Sequence, residues 1–568
     1  MKFESFLAED ARGKIHKLPQ QHFQVVTLGF LSKTLPSALI ATQFAKHLST
    51  ETRASVVVVK LQCGGDYPLW QAGFDTYATV VDWAPSESVL QGQFQSCSLI
   101  RTESGFHLLT LDLKAPASIA ERLPSLLTQL RRHFRFILIE APLDGPLGES
   151  LLACQLPVDL SYLFLQPKVE EVLQLEPMVK KLRGERLVDS SRFKPVLVLE
   201  EKASGEVTDS LAQRATVPIE RFVHGCPIEW NANSPTPVSN TGSFAKDIRR
   251  LARELGGRMV GLALSSGAAK GFAHIGCIQV LEENGIEVDI VAGASIGAYI
   301  GAVWTYGYNG QELEKLAREM ESRWGLWSLM DPAFPPRQGF LRGHALKRRL
   351  MRSIGSVRFC ELPRPMRIVA GNLGSLDRTI LMTGEVAAAA HASMAVPGIC
   401  VPVTLGQESY IDGGIVDPVP VDILRDAGAA KVIAVNVIPT PERMRLGFQV
   451  ERELAAQNQK PLRKLFRKVL PLDKQLNYFA QGNLFEILAR SIHGAQVRLA
   501  EASCRLADVV LRPDILDDRW LDCRNPGRFI ALGREAAEQN IESIKALVAK
   551  NQFSDDQEIP SGTVAAVA

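Results

Sequence analysis

An apolar run within residues 1–14, an excess of one charge and CxxC spacing are all absent from this sequence. Residues 1–14 carry acids where a secretory signal peptide needs an apolar core, so we do not expect export. The formal net charge is only +2, which gives no general reason to expect nucleic acid as a partner. The nine cysteines show neither CxxC nor metal-ligand spacing, as is typical of reduced thiols in a cytosolic protein. We therefore predict a cytoplasmic protein that holds no metal.

One uncharged stretch, residues 290–311, has the length of a membrane span, and its Gly293, Gly297 and Gly301 fall at GxxxG spacing. The stretch is rich in glycine, contains serine and has no basic flank. A buried strand, a tight turn and a buried helix describe it better than a membrane span does.

The chain has room for two or three domains, because it has 568 residues and a globular composition of 46% hydrophobic and 22% charged residues. Two regions alternate apolar runs with amphipathic stretches, which indicates α/β architecture. Between them lies a stretch rich in Ser, Asn, Pro and Thr. We predict an α/β domain at 1–230, a linker and lead-in helix at 231–257, a second α/β domain at 258–440, a mostly helical section at 441–550 and a disordered tail at 551–568.

Short runs rich in branched apolar residues predict the buried strands of these domains. In the first domain they are Gln24–Thr27, Ser55–Lys60, Leu108–Asp112, Phe136–Glu140, Leu160–Leu165 and Pro195–Leu199, and the second domain opens with Met259–Leu264.

A GxSxG motif formed by Gly293, Ser295 and Gly297 follows a predicted strand and precedes a helix rich in small residues. In a nucleophile elbow the serine occupies a strained turn, so neighbouring residues must lack a Cβ. The following helix directs its positive end at the serine oxygen. We predict that Ser295 is a nucleophile; a tight turn that only packs strand on helix is the other interpretation.

A serine hydroxyl needs a base. Asp412, followed by Gly413 and Gly414, ends a predicted strand and can approach another backbone closely. Burial raises the pKa of a carboxyl and makes it a stronger base. A Ser–Asp–His triad is the competing hypothesis, and His493 is the only histidine after Asp412.

Small residues also follow the strand that ends at Leu264, where Ser266, Gly267, Ala268, Lys270 and Gly271 precede a helix. Backbone N–H groups at such a helix start can face a bound oxyanion. We predict that Gly267 and Ala268 form the oxyanion hole. Lys270 either adds positive charge there or is a solvated helix-start residue, and His274, one turn further on, is better explained by packing than as a base.

These three motifs, in this order, resemble the patatin-like phospholipase family and, within it, the bacterial and neuropathy-target-esterase branch. Residues 262–283 resemble the family's glycine-rich segment, and the segments 392–398 and 417–420 on either side of the DGG match as well. The resemblance covers roughly 258–540. It implies a three-layer α/β/α hydrolase domain, a Ser–Asp dyad without histidine or cofactor, and phospholipid or lysophospholipid substrates.

The chain departs from the family's GxGxxG run at two positions, because Ser266 and Ala268 replace its first two glycines. Their amides remain, so the oxyanion hole can form if these residues tolerate the required backbone angles. The alternative function is a catalytically impaired patatin-like scaffold that binds lipid or protein.

The first domain resembles P-loop ATPases of the MinD/ParA type, since residues 24–48 look like their first strand and helix and residues 136–142 like their strand-plus-acid segment. A working loop needs GxxxxGK[ST]. Here the glycines are missing and Ala38 stands at the lysine position. We predict a degenerate P-loop-like domain that does not bind or hydrolyse nucleotides.

Residues 460–471 carry the strongest membrane signal. Leu462, Leu465, Phe466 and Val469 share one helical face, and four Lys or Arg residues form the other. Such a helix can lie in a lipid interface. We predict peripheral contact with the inner face of the membrane through this segment; a surface helix packed on the domain is the other interpretation.

Overall fold

The computed structural model describes residues 24–63, 79–81, 94–102, 104–113, 118–153, 158–183, 192–201, 203–227, 239, 241–321, 331–440, 442–443, 484–515 and 525–549. The predicted helix at 460–471, most of the predicted linker and the tail at 551–568 lie outside these ranges. The chain divides into two compact units, Met1–Arg258 together with Lys550–Ala568, and Met259–Ala549.

The first unit is built on a nine-stranded sheet in the order β3-β4-β5-β2-β6-β1-β7-β8-β9. Its strands are β1 Val25–Phe30, β2 Val56–Cys63, β3 Thr79–Val81, β4 Phe94–Arg101, β5 His107–Leu113, β6 Phe136–Pro142, β7 Leu160–Leu165, β8 Phe193–Val198 and β9 Arg221–Val223. Its helices are α1 Ser37–Thr52, α2 Ser118–Leu130, α3 Gly145–Ala153, α4 Val169–Arg183, α5 Gly205–Arg214 and α6 Ser243–Leu255.

Burial on both faces of this sheet explains its parallel centre. The strands β1 and β7 are buried along their whole length, because helices cover both sides and two separate apolar clusters form there. All the pairings from β5 to β9 are parallel, while β3 and β4 pair antiparallel. The predicted parallel α/β architecture of the first domain is confirmed.

Helix α6, predicted as part of a linker and lead-in, packs on α1 of the first unit. Buried Glu51 of α1 accepts hydrogen bonds from Arg249 and Arg253 of α6, at 2.8 and 3.0 Å. Ion pairs of this kind fix which face of α6 meets α1. The helix therefore completes the first unit.

The second unit is built on an eight-stranded sheet in the order β14-β15-β12-β11-β10-β16-β17, with β13 paired to β12. Its strands are β10 Val260–Leu264, β11 Ile290–Ala294, β12 Met366–Asn372, β13 Arg378–Leu381, β14 Val403–Leu405, β15 Glu408–Asp412, β16 Lys431–Val435 and β17 Val509–Leu511. Its helices are α7 Ala273–Glu283, α8 Ile296–Tyr306, α9 Gly310–Arg318, α10 His344–Ile354, α11 Val386–Ser393, α12 Asp422–Asp426, α13 Leu484–Cys504 and α14 Pro526–Val548.

The parallel strands of this sheet bring several loops to one edge. β10, β11 and β12 run in the same direction, so the loops after Leu264 and Ala294 meet at their carboxyl ends. The antiparallel strand β15 places Asp412 opposite Ala370, one residue beyond the pair Ala294–Val369. Ser295 and Asp412 therefore reach the same level of the sheet from opposite chain directions.

The section 441–550, predicted as mostly helical, also contributes a strand. β17 pairs in parallel with β16 and extends the central sheet. Helix α14 lies so close to α7 that a Cβ on Gly533 would collide with the backbone oxygen of Ala273. No helix in the described ranges is long and apolar enough to cross a membrane.

Candidate active site

Ser295 occupies the sharp turn between β11 and α8. Its backbone angles, φ 53° and ψ −120°, lie in a region that residues with a Cβ rarely adopt. A conformation of this kind costs about 1–3 kcal/mol and persists where surrounding packing enforces it. The turn holds the serine at the end of the strand, as the GxSxG motif predicts.

The two glycines of the motif are required by close backbone contacts. A Cβ on Gly293 would lie 2.6 Å from the backbone oxygen of Gly297. A Cβ on Gly297 would lie 2.7 Å from the oxygen of Ser265, at the end of β10. Glycine therefore lets the elbow fold on itself and lie against the loop that follows β10.

The structure brings Ser295 and Asp412 together. Ser295 Oγ donates a hydrogen bond of 2.5 Å to Asp412 Oδ2, and both residues are buried. The other carboxylate oxygen, Oδ1, accepts from the Gly414 amide at 2.7 Å. The Asp412 amide itself donates to the Ala395 oxygen at 2.9 Å. The carboxylate is thus oriented from two sides, with one oxygen directed at the serine.

Burial raises the pKa of Asp412 from 3.8 to about 6, although the hydrogen bonds from Ser295 and Gly414 favour the charged form. At pH 7 the carboxylate remains mostly ionised and is a stronger base than an exposed aspartate. This combination suits a group that accepts a proton from a hydroxyl.

Gly413 and Gly414 allow Asp412 to approach neighbouring loops. A Cβ on Gly413 would collide with the Val369 oxygen of β12. A Cβ on Gly414 would lie 2.5 Å from Ser266 Oγ and 2.9 Å from Asp412 Oδ1. The DGG turn is therefore packed against both the sheet and the predicted oxyanion segment.

The predicted oxyanion segment forms a 3-10 helix at Ala268–Phe272. The first N–H groups of such a helix have no acceptor within it. The Ser266 amide, by contrast, donates to the Pro418 oxygen at 2.9 Å, which removes it as an oxyanion donor. Ala268 has a φ of +49°, so it adopts the left-handed conformation that glycine adopts without strain. A Cβ on Gly267 would collide with Val437 Cγ2.

The oxyanion segment lies directly on the elbow, because a Cβ on Gly271 would collide with Ile296 Cγ2. Lys270, considered above as a solvated residue, is instead buried, with 3% of its surface exposed. That interpretation of Lys270 was wrong because the 3-10 turn directs the residue into the packed side of the segment.

Among the described residues, neither His274 nor His493 is a hydrogen-bond partner of the Asp412 carboxylate. His274 is fully buried, and its Nε2 bonds the Ser265 oxygen at 2.9 Å. Burial lowers the pKa of His274 to about 4, against the effect of that hydrogen bond. His493 lies on α13, while the side-chain bonds of the Asp412 carboxylate come from Ser295 and Gly414.

Sequence reasoning missed Ser393. This residue is fully buried at the end of α11. Its Oγ accepts a 2.8 Å hydrogen bond from the Ser295 amide. The bond fixes the backbone of the strained turn across 98 residues of chain. Its stretch was matched to the family, but a serine at a helix end gave no signal of its own. In the described ranges, no cluster of three His, Cys, Asp or Glu residues could hold a metal ion.

Part of the second unit is similar in sequence to a known protein family. Residues 262–425 match the model of the patatin-like phospholipase family. A lysophospholipase of Aspergillus fumigatus is 32% identical over 204 residues, which cover 36% of this chain and 13% of that protein. The neuropathy target esterase of Drosophila melanogaster is 32% identical over 195 residues, which cover 34% of this chain and 14% of that protein. The chain thus spans about one seventh of the length of these relatives.

Solved structures show lower similarity. VipD from Legionella pneumophila superimposes with a TM-score of 0.30 at 14% identity, over 50% of this chain and 67% of its own. A ParA family ATPase from Chlorobium tepidum has a TM-score of 0.28 at 17% identity, over 40% of this chain and 97% of its own.

Proposed function

We propose that the patatin-like phospholipase domain of this chain hydrolyses acyl esters of phospholipids or lysophospholipids through a dyad of Ser295 and Asp412. The observation that carries the proposal is the buried 2.5 Å hydrogen bond between Ser295 Oγ and Asp412 Oδ2. A strained serine whose hydroxyl faces a carboxylate of raised pKa has the two properties that nucleophilic catalysis requires.

In the first step, Ser295 Oγ attacks the ester carbonyl while Asp412 accepts the hydroxyl proton. The amides of Gly267 and Ala268 stabilise the negative charge on the carbonyl oxygen. Each such donor contributes about 3–4 kcal/mol in the transition state. The tetrahedral intermediate collapses, the C–O bond to the leaving alcohol breaks, and Asp412 returns its proton to that alcohol.

In the second step, water attacks the acyl-serine, and Asp412 takes one proton from the water. The bond between Ser295 Oγ and the acyl carbon breaks, the fatty acid leaves, and the proton returns from Asp412 to Ser295 Oγ. Each step moves a single proton between a hydroxyl and one carboxylate, so neither metal nor cofactor is required.

The second candidate function is a catalytically impaired scaffold that binds lipid or protein. The left-handed conformation of Ala268, φ +49°, favours it, because an alanine there adds strain at a predicted oxyanion donor. Relief of that strain by a small rotation would turn the amide away from the oxyanion.

Covalent labelling by a fluorophosphonate separates these candidates. The proposed function expects the label on Ser295, identified by mass spectrometry, and hydrolysis of a short-chain nitrophenyl ester that Ser295→Ala abolishes. The matched variant His493→Ala should retain activity. If it instead loses activity, a Ser–Asp–His triad is indicated. A wild-type chain that neither binds the label nor cleaves the ester would support the scaffold.

For the first unit we propose a structural role without nucleotide hydrolysis. Ser37, at the start of α1, donates a 2.7 Å hydrogen bond to Glu140, and burial raises the pKa of this acid. A cytoplasmic location and peripheral membrane contact through residues 460–471 remain predictions.

A further inference from the structure

The segment between the described residues Asp331 and Gly343 exposes a large apolar side chain. Phe334 is 90% exposed, and Pro335 and Pro336 beside it are exposed as well. A phenylalanine with a neighbouring pair of prolines forms a stiff apolar projection, since proline fixes the backbone and lacks an N–H group. Covering such a projection with an apolar phase is favourable, because it removes apolar area from water.

The sequence that follows this projection is basic. Residues 332–352 contain no Asp or Glu, and four of their arginines are exposed: Arg337, Arg342, Arg348 and Arg352. Nearby acids already have partners, because Glu319 pairs with Arg349 and Glu385 with Lys347. In the part of the chain that the structure describes, the four exposed arginines make no ion pair, so their charge faces solvent.

The same segment borders the candidate active site. The amides of Phe340 and Leu341 donate to the Ile399 oxygen at 2.9 and 2.8 Å, and Val401 returns a bond to Leu341 at 2.9 Å. Between these residues, Cys400 is close enough to Asp412 for that carboxylate to help raise the pKa of its thiol, after burial as the main cause. The chain that follows the apolar projection is thus hydrogen-bonded to residues 399–401, shortly after Ala395, whose oxygen accepts the Asp412 amide.

A second apolar projection lies at the edge of the sheet that holds Ser295. Leu376 is 77% exposed in the turn that joins β12 to β13. Because β12 runs parallel to β11, this turn lies beyond the end of the sheet from which Ser295 projects. One exposed apolar side chain at the edge that holds the nucleophile, and another on the segment bonded to residues 399–401, suit a flat apolar phase better than a narrow pocket.

We propose that residues 332–352, the loop before α10 together with the first nine residues of that helix and called the docking loop below, seat the active-site edge on an anionic phospholipid membrane. Phe334 enters the interface while the four arginines bind headgroup phosphates. This inference rests on the proposed function, because that function takes its phospholipid substrate from a membrane. Docking itself does not require the dyad to be active. It is independent of residues 460–471, which lie elsewhere in the sequence.

Vesicle flotation tests the proposal with the full chain. The probes are vesicles of phosphatidylcholine alone and of phosphatidylcholine mixed with phosphatidylglycerol. We expect wild type to float with the anionic vesicles, and Phe334→Ser to lower the partition coefficient by about tenfold. Replacing Arg337 and Arg342 with Gln should lower it by about fivefold per charge, with a smaller effect at high salt.

Two matched controls lie on the first unit. Leu173 is 62% exposed and Arg132 is exposed, so Leu173→Ser and Arg132→Gln make the same chemical changes at surface positions of the first unit. Neither should change flotation. Cleavage of a soluble nitrophenyl ester should also be unchanged in the Phe334 variant, since Phe334 is not part of the dyad, and circular dichroism verifies folding in every variant.

The outcomes separate the two proposals. Equal flotation of wild type and Phe334→Ser, or flotation that requires no anionic lipid, overturns the docking loop whether or not the ester is cleaved. A wild type that cleaves no ester but floats through Phe334 overturns the proposed function and supports the loop. If Phe334→Ser instead abolishes self-association in solution and leaves flotation intact, the projection is covered by a second copy and the membrane proposal is wrong.

Discussion

Replacing Asp412 with Asn should abolish ester cleavage and, at neutral pH, stabilise the folded chain relative to wild type. In wild type, burial holds the pKa of Asp412 at about 6, above its ordinary value of 3.8. The ionised carboxylate is therefore less favourable in the folded than in the unfolded chain. Stability that is fully present below pH 3.8 is lost as the pH rises through about 6. Asparagine has the same shape and no charge, so it does not show this loss.

The magnitude follows from the two pKa values. A change from 3.8 to about 6, at about 1.4 kcal/mol per pH unit, corresponds to about 3 kcal/mol. The difference in unfolding free energy between variant and wild type should therefore grow by about 2.5 kcal/mol between pH 4 and pH 7.5, since about 0.5 kcal/mol of it is already present at pH 4. Any loss of hydrogen-bond strength in the amide shifts both ends equally and leaves the growth unchanged. Buried Asp417, whose pKa is also raised to about 6, titrates in both proteins and cancels.

Urea unfolding at several pH values measures this difference, with tryptophan fluorescence reporting on buried Trp304 in the second unit. Exposed Asp377 supplies the control Asp377→Asn, which makes the same chemical change at a surface position. A constant difference between Asp412→Asn and wild type from pH 4 to pH 7.5 would refute the claim that burial raises this pKa. In the same series, wild-type kcat/KM should fall about tenfold per pH unit below pH 6, since the base must be ionised.

Three further substitutions test the parts around the dyad. Ala268→Gly should stabilise the fold by up to about 1 kcal/mol in thermal unfolding and keep or raise kcat, because glycine adopts the left-handed angles without strain. Gly267→Ala should lower both stability and kcat, since its Cβ would collide with Val437, and Val437→Ala should restore part of the loss in the double variant. Ser393→Ala leaves the Ser295 amide without its acceptor, so kcat should fall while KM for a soluble ester stays within about twofold.

The sequence predicted the centre of the first sheet better than its edge. All six predicted strands of the first domain occur, with ends that differ by a few residues; Leu160–Leu165 has the predicted bounds. Those strands are buried on both faces and therefore contain continuous apolar runs. The edge strands β3 and β9 were missed because three residues are too few to show a pattern, and the antiparallel β4 was missed because it mixes polar with apolar residues.

Within the candidate site, local motifs were visible and long-range contacts were not. The GxSxG and DGG patterns signal a strained turn and a close backbone approach, and both constraints act within a few residues. The bond from the Ser295 amide to Ser393 joins two helix ends and leaves no local trace in the sequence. Burial of Lys270 depends in the same way on how the 3-10 turn is seated on the elbow.

The two departures from the family's glycine run differ in what they change. At Ser266 the backbone amide is already bound to the Pro418 oxygen, so a side chain there removes no oxyanion donor. Its buried hydroxyl has no hydrogen-bond partner among the residues that the structure describes, and it lies 2.5 Å from the position that a Cβ on Gly414 would occupy. At Ala268 the side chain leaves the amide in place and adds conformational strain. The substitutions therefore add a buried hydroxyl and a strained residue at a predicted oxyanion donor, and the contacts of the Asp412 carboxylate, from Ser295 and Gly414, involve neither altered residue.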